Sequence, residues 1–67
     1  MDFSKNLKNL RLSVKMSQKE LANKLGICQS NISDWENDVS RPEYERLIEI
    51  ADIFDVSLDE LLGRKEI

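Results

Sequence analysis

Apolar residues recur along this chain every three or four positions with polar residues between them, and the pattern is interrupted at a few well-marked points. Leu7, Leu10 and Val14 share one face of a helix predicted from about Ser4 to Val14, with Lys5, Lys8 and Asn9 on the other side. Ser17 followed by Glu20 is a capping box, in which hydroxyl and carboxylate satisfy each other's end of the helix start, so a second helix is predicted from Gln18. Met16 and Leu21 flank that cap as a hydrophobic staple; Leu21, Ala22 and Leu25 point inward, and Gly26 ends the helix. A third helix starts almost at once, with Cys28 at the cap and Ile27 and Ile32 as staple. Ile32 and Trp35 face inward, leaving Gln29, Ser30, Asn31, Ser33 and Asp34 outward. Asn37 to Pro42 is a loop, because Pro42 disfavours helical geometry in Arg41 and suits the first turn of a new helix. That fourth helix runs from about Glu43 to Phe54, with Glu43 and Glu45 complementing its dipole and Leu47, Ile50, Ala51 and Phe54 forming its buried stripe. Ser57 and Glu60 form a second capping box, stapled by Val56 and Leu61, for a short fifth helix ending at Gly63. Arg64 to Ile67 is expected to fray. The expected fold is all-α, a compact five-helix bundle over residues 1–67 as one domain, with a helix, tight turn and helix at 17–37.

Composition narrows what such a bundle does. With 67 residues there is room for one small core and no catalytic cleft. Hydrophobic content of 40% beside 34% charge fits a globular domain, and no apolar run approaches the ~20 residues of a membrane helix. The N-terminal Asp2, Ser4, Lys5 and Asn6 are unlike a signal peptide, which makes the cytoplasm the default location. A single cysteine gives no disulfide framework, and the absence of histidine removes the commonest zinc ligand and general base. The expectation is therefore no enzyme, no metal, no cofactor and no small-molecule ligand. The net charge of -3 opposes a nucleic-acid partner until it is resolved by position. Residues 1–24 carry six cations against two acids, and residues 25–67 four cations against eleven acids, so a basic surface can survive around the first two helices.

With Gln18, Glu20, Leu21, Ala22, Gly26, Ile27, Gln29, Ile32, Trp35, Glu36 and Asn37 in place, residues 17–37 resemble the helix-turn-helix of the phage Cro and repressor proteins, the XRE family. The similarity continues through Arg41-Pro42 and Val56 to Leu62, nearly the whole chain. It implies a lambda-repressor-like fold and sequence-specific binding of double-stranded DNA. It also bears on Arg11, which lies at the margin of the core face of the first helix. On the sequence alone Arg11 reads equally as a surface arginine laying its stem over apolar area; the resemblance implies a structural ion pair with Glu36. The family commonly has glycine and extra basic residues where this chain has Asp38, Val39 and Ser40, which weakens the expected grip on the DNA backbone.

In a helix-turn-helix the second helix enters the major groove and its N-terminal residues reach the base edges. Here those are Gln29, Ser30 and Asn31, followed one turn later by Ser33 and Asp34. Glutamine bonds adenine N6 and N7 together, and serine or asparagine bonds several edges, whereas the plain alternative is a solvated polar face. Gln18, at a helix start with free amides and the positive dipole end, is assigned a backbone phosphate, with Lys19 beside it and Lys15 as a further candidate. Asn37 and Arg41 are assigned another phosphate. Trp35 reads as core, and Tyr44 is ambiguous. Cys28 stands where serine or threonine would cap better; it reads as a small buried hydrophobe, with a low-pKa redox thiol as the alternative.

The expected function is a transcription regulator, a repressor acting as a homodimer on a palindromic operator, with a dimer surface around Phe54 to Leu62 together with Ile67. The alternatives are a protein-interaction module that keeps the fold without DNA binding, and an antitoxin-type regulator that binds both DNA and a toxin.

Overall fold

A computed structural model describes residues 3–63, and Ile67 of the expected dimer surface lies outside them. Five helices follow one another: α1 Phe3–Ser13, α2 Gln18–Leu25, α3 Gln29–Glu36, α4 Tyr44–Phe54 and α5 Leu58–Leu62. Among the described residues there is no strand, and no helix is long and apolar enough to cross a membrane.

Local chemistry explains the boundaries of α2 and α5. Ser17 accepts a hydrogen bond from the Glu20 amide at 3.0 Å while Glu20 Oε1 accepts one from the Ser17 amide at 2.8 Å, so both halves of the capping box at the start of α2 are made. Gly26 closes α2 at φ 70°, a left-handed conformation that an L side chain resists, and its amide reaches back to Ala22 and Asn23 carbonyls. Ser57 and Glu60 repeat the box for α5, and Gly63 at φ 74° ends it. Cys28 caps α3 by backbone position only, with no side-chain hydrogen bond, and it is exposed rather than buried. The two boxes and the turn thus divide the chain where the sequence pattern divides it.

The core joins Phe3, Leu7, Leu21, Ala22, Leu25, Ile32, Trp35, Ile50, Ala51 and Leu61. Leu7, Leu21, Ile32, Ile50 and Leu61 are wholly buried, one from each helix, which is why five short helices cohere. Deleting any one of these side chains to alanine is expected to cost ~2 to 5 kcal/mol. The helix pair α2–α3 packs most closely, α1 lies against α3 and α5, and α4 against α2 and α5.

The structure departs from the helical pattern at several positions. Val14 is 55% exposed, because α1 ends at Ser13 and Lys15, at φ 58°, swings the chain out of the helical register. Phe3, for which the sequence reading gave no role, anchors the start of α1 in the core at 5% exposure. Leu10, Leu47 and Phe54 are only partly buried at its margin. Pro42 lies ahead of α4 rather than in its first turn, since Glu43 is the cap residue.

Candidate nucleic-acid interface

Arg11 is the buried polar residue of the core, and it touches both ends of the α2–α3 unit. Its Nε and Nη2 donate to Glu36 Oε2 and Oε1 at 2.7 and 3.0 Å, and Nη1 donates to the Met16 carbonyl at 2.8 Å. The side chains of Arg11 and Glu36 are only 9% and 3% exposed, so the forked pair works in a low-dielectric setting where its direction matters. The hydrogen bond to Glu36, helped by its charge, raises the Arg11 pKa against the opposing pull of burial. Among the described residues no buried side-chain polar atom lacks a partner, so the pair leaves no buried donor or acceptor stranded.

From this pair a relay runs to the exposed face. Gln18 Nε2 donates to Glu36 Oε1 at 3.0 Å, and Gln18 Oε1 accepts from Gln29 Nε2 at 3.4 Å. Each glutamine amide nitrogen has two hydrogens and these contacts use one, leaving one N–H on Gln18 and one on Gln29. Gln29 therefore retains both a donor and its own oxygen, the pair needed to grip adenine N7 and N6. Gln18 and Lys19 stand in the first turn of α2, where amides have no carbonyl one turn earlier to bond.

The outward residues of α3 divide into two groups. Gln29, Ser30 and Asn31 are exposed, whereas Ser33 and Asp34 are half-buried. Helical spacing alone turns all five outward; the turn after α3 makes the difference, because Val39 and Ser40 amides fold back on the Asp34 carbonyl at 2.8 and 3.4 Å and the Asn37 side chain lies on Ser33. Asn37 spends its amide donors on the Ser33 carbonyl and hydroxyl, at 2.9 and 3.2 Å. Arg41 is exposed and pairs with Asp38 at 3.1 Å. Lys15, Lys19 and Lys24 are exposed along α2 and its approach, while the exposed acids Glu45, Glu49, Asp52, Asp59 and Glu60 lie on α4 and α5.

Two positioning contacts escaped the sequence reading. Half-buried Arg46 donates to the Leu25 carbonyl at 2.9 Å and to Glu49 at 2.7 Å, tying α4 to the C-terminal end of α2. Asn6 Nδ2 donates to the Leu61 carbonyl at 3.2 Å, tying α1 to α5. Both satisfy carbonyls left over at helix ends. Glu49 three residues after Arg46 marks that ion pair in the sequence; nothing local marks the bond to Leu25 or the one from Asn6.

The matching family model is described as helix-turn-helix (HTH_3) and covers residues 7–61. The HTH-type transcriptional regulator ImmR of Bacillus subtilis is 37% identical over 67 residues, all of this chain and 53% of that protein. The cryptic phage CTXphi transcriptional repressor RstR of Vibrio cholerae is 33% identical over 96% of this chain and 57% of its own length. The crystal structure of a transcriptional regulator from Listeria innocua superposes with a TM-score of 0.89 at 26% identity, over 97% of this chain and 61% of that one. The chain spans about half the length of the curated relatives ImmR and RstR. On the match over residues 7–61 and these similarities, the chain belongs to the helix-turn-helix family of the Cro and phage-repressor (XRE) type.

Proposed function

We propose that residues 1–67 are a single, non-catalytic DNA-reading domain of a transcription regulator, a repressor that binds a palindromic operator as a homodimer in the cytoplasm. The observation that carries this reading is the exposed set Gln29, Ser30 and Asn31 at the start of α3, with Gln29 held by a relay that ends on the buried Arg11–Glu36 pair. Recognition needs side chains that are accessible, and Gln29 is in addition fixed in direction by its bond to Gln18. Ser33 and Asp34 extend the reading edge; Gln18, Lys19 and Arg41 flank it as backbone contacts, and Asn37 joins them by exchanging a bond to Ser33 for one to phosphate. A two-fold dimer supplies a second α3 about one helical turn, ~34 Å, away, and the half-buried Phe54, Val56, Leu58 and Leu62 are the surface proposed for it.

Exposed Val14, in a groove it lines with Met16, Lys24, Ile53 and Phe54, favours a protein contact as the second reading, in which a partner shares the domain with DNA or replaces it. Titration of random and selected duplexes at several salt concentrations separates the two. A DNA reader loses affinity steeply as salt rises and prefers the selected duplex; absence of binding at low salt overturns the proposal.

A further inference from the structure

Asp38 follows the end of α3 with φ 60°, in the left-handed region that aspartate and asparagine tolerate better than most residues. Its Oδ1 accepts from Arg41 Nη2 at 3.1 Å and from Ser4 Oγ at 3.4 Å. A guanidinium and a hydroxyl converging on one oxygen form the donor set by which proteins hold a backbone phosphate. These residues, with Lys5 and Asn37, line a cleft of about 350 Å³ between the start of α1 and the loop after α3. Glu36 also borders the cleft but is committed to Arg11, so Asp38 is the acid that faces Lys5 and Arg41 there.

We infer that Asp38 is an internal stand-in for phosphate: in the free protein its carboxylate takes one N–H of Arg41 and the hydroxyl of Ser4, and a DNA backbone phosphate takes its place in the complex. The inference rests on the DNA-binding reading and adds a regulatory residue to it. Binding at this cleft is then an exchange of one anion for another. An arginine that meets a phosphate directly releases a condensed counterion and steepens the dependence of log K on log salt by ~0.9. An arginine that must first leave a carboxylate gains less, and the displaced carboxylate stays beside the phosphate it has made room for. Asp38 thus lowers affinity for every duplex by a common factor and leaves base preference unchanged. It acts through Arg41, as a positioning residue.

The test is Asp38→Asn, which keeps the tolerated backbone conformation and removes the charge, with Asp38→Gly as a second variant that also fits φ 60°. Binding to a random-sequence duplex is measured across a salt series, beside Asp52→Asn as an equal change of charge on the exposed face of α4. Asp38→Asn is expected to tighten binding by roughly two- to fivefold at low salt and to steepen the salt slope by ~0.9, more than Asp52→Asn does. Combined with Arg41→Gln, the gain should vanish. An unchanged slope, or the same gain in the Arg41→Gln background, overturns the inference while wild-type binding leaves the DNA reading standing. If neither wild type nor variant binds any duplex, both fall together.

Discussion

Gln18 Nε2 lies 3.0 Å from Glu36 Oε1, and that hydrogen bond connects the start of α2 to the end of α3 across the motif. Glu36 already accepts two bonds from Arg11, so the carboxylate orients a guanidinium and a carboxamide together. The residue proposed to hold a phosphate and the residue that locks the helices are one network. Disturbing the lock is therefore expected to disturb the grip.

Arg11→Met should be among the most destabilising single substitutions in the chain. It strands a carboxylate whose side chain is 3% exposed, at an expected cost of ~3 to 5 kcal/mol. Arg11→Met with Glu36→Leu should recover much of that loss. Urea unfolding of the four proteins in a double-mutant cycle reads the coupling, and additive losses would show that the pair contributes no interaction of its own.

Gln18→Ala should weaken binding to all duplexes about equally, whereas Gln29→Ala should lose ~1 to 3 kcal/mol of discrimination at particular base pairs. Because the two amides touch at 3.4 Å, Gln18→Ala should also loosen the preference read by Gln29 by a smaller amount. Selecting bound duplexes from a random pool with each variant gives the result. A Gln29→Ala pool identical to that of wild type would remove Gln29 from the reading edge.

Much of this was legible beforehand, and the legible parts share a cause. The boxes Ser17–Glu20 and Ser57–Glu60 and the turn at Gly26 act within four residues of themselves, so their residue types suffice to place α2, α5 and the turn. Burial of Phe3 and exposure of Val14 were not legible, because helical spacing identifies a face and does not fix the residue at which the helix carrying it starts or stops. The same limit applies to the site. That Gln29 faces outward follows from α3 alone, but the contact between Asp38 and Ser4 joins residues 34 positions apart that become neighbours only once α1 lies against α3. Arg46 on the Leu25 carbonyl is another such contact made by packing.

The box at α2 should make stability pH-dependent. Hydrogen bonds from the Ser17 backbone and side chain, with Lys24 nearby, lower the Glu20 pKa below its ordinary value. A carboxylate lowered on folding contributes stability above its unfolded pKa of ~4.3, and that contribution disappears as pH falls through the folded value. Glu20→Gln should be less stable than wild type at neutral pH, with the difference narrowing below about pH 4. Urea midpoints at several pH values check this, and a difference that stays constant with pH would show that the carboxylate charge is not what the box uses.

Gly26→Ala isolates backbone strain from crowding. A Cβ built there meets nothing within 4 Å, so any loss comes from φ 70° alone; it should amount to ~1 to 2 kcal/mol. Gly26→Asn should lose less, because asparagine visits that region more readily. Thermal unfolding of both variants decides it, and equal losses would point to a cause other than φ.

Ser30 and Asn31 are exposed, and among the described residues their side chains make no hydrogen bond. Whatever they contribute to recognition, folding asks nothing of them, so exchanging them should leave the bundle as stable as before within about 0.5 kcal/mol. Gln29, tied to Gln18, is less free, and Glu36 is not free at all. On the proposed DNA-reading function, a change at these two adjacent codons at the start of α3 would alter which sequence is read without drawing on the stability of the fold.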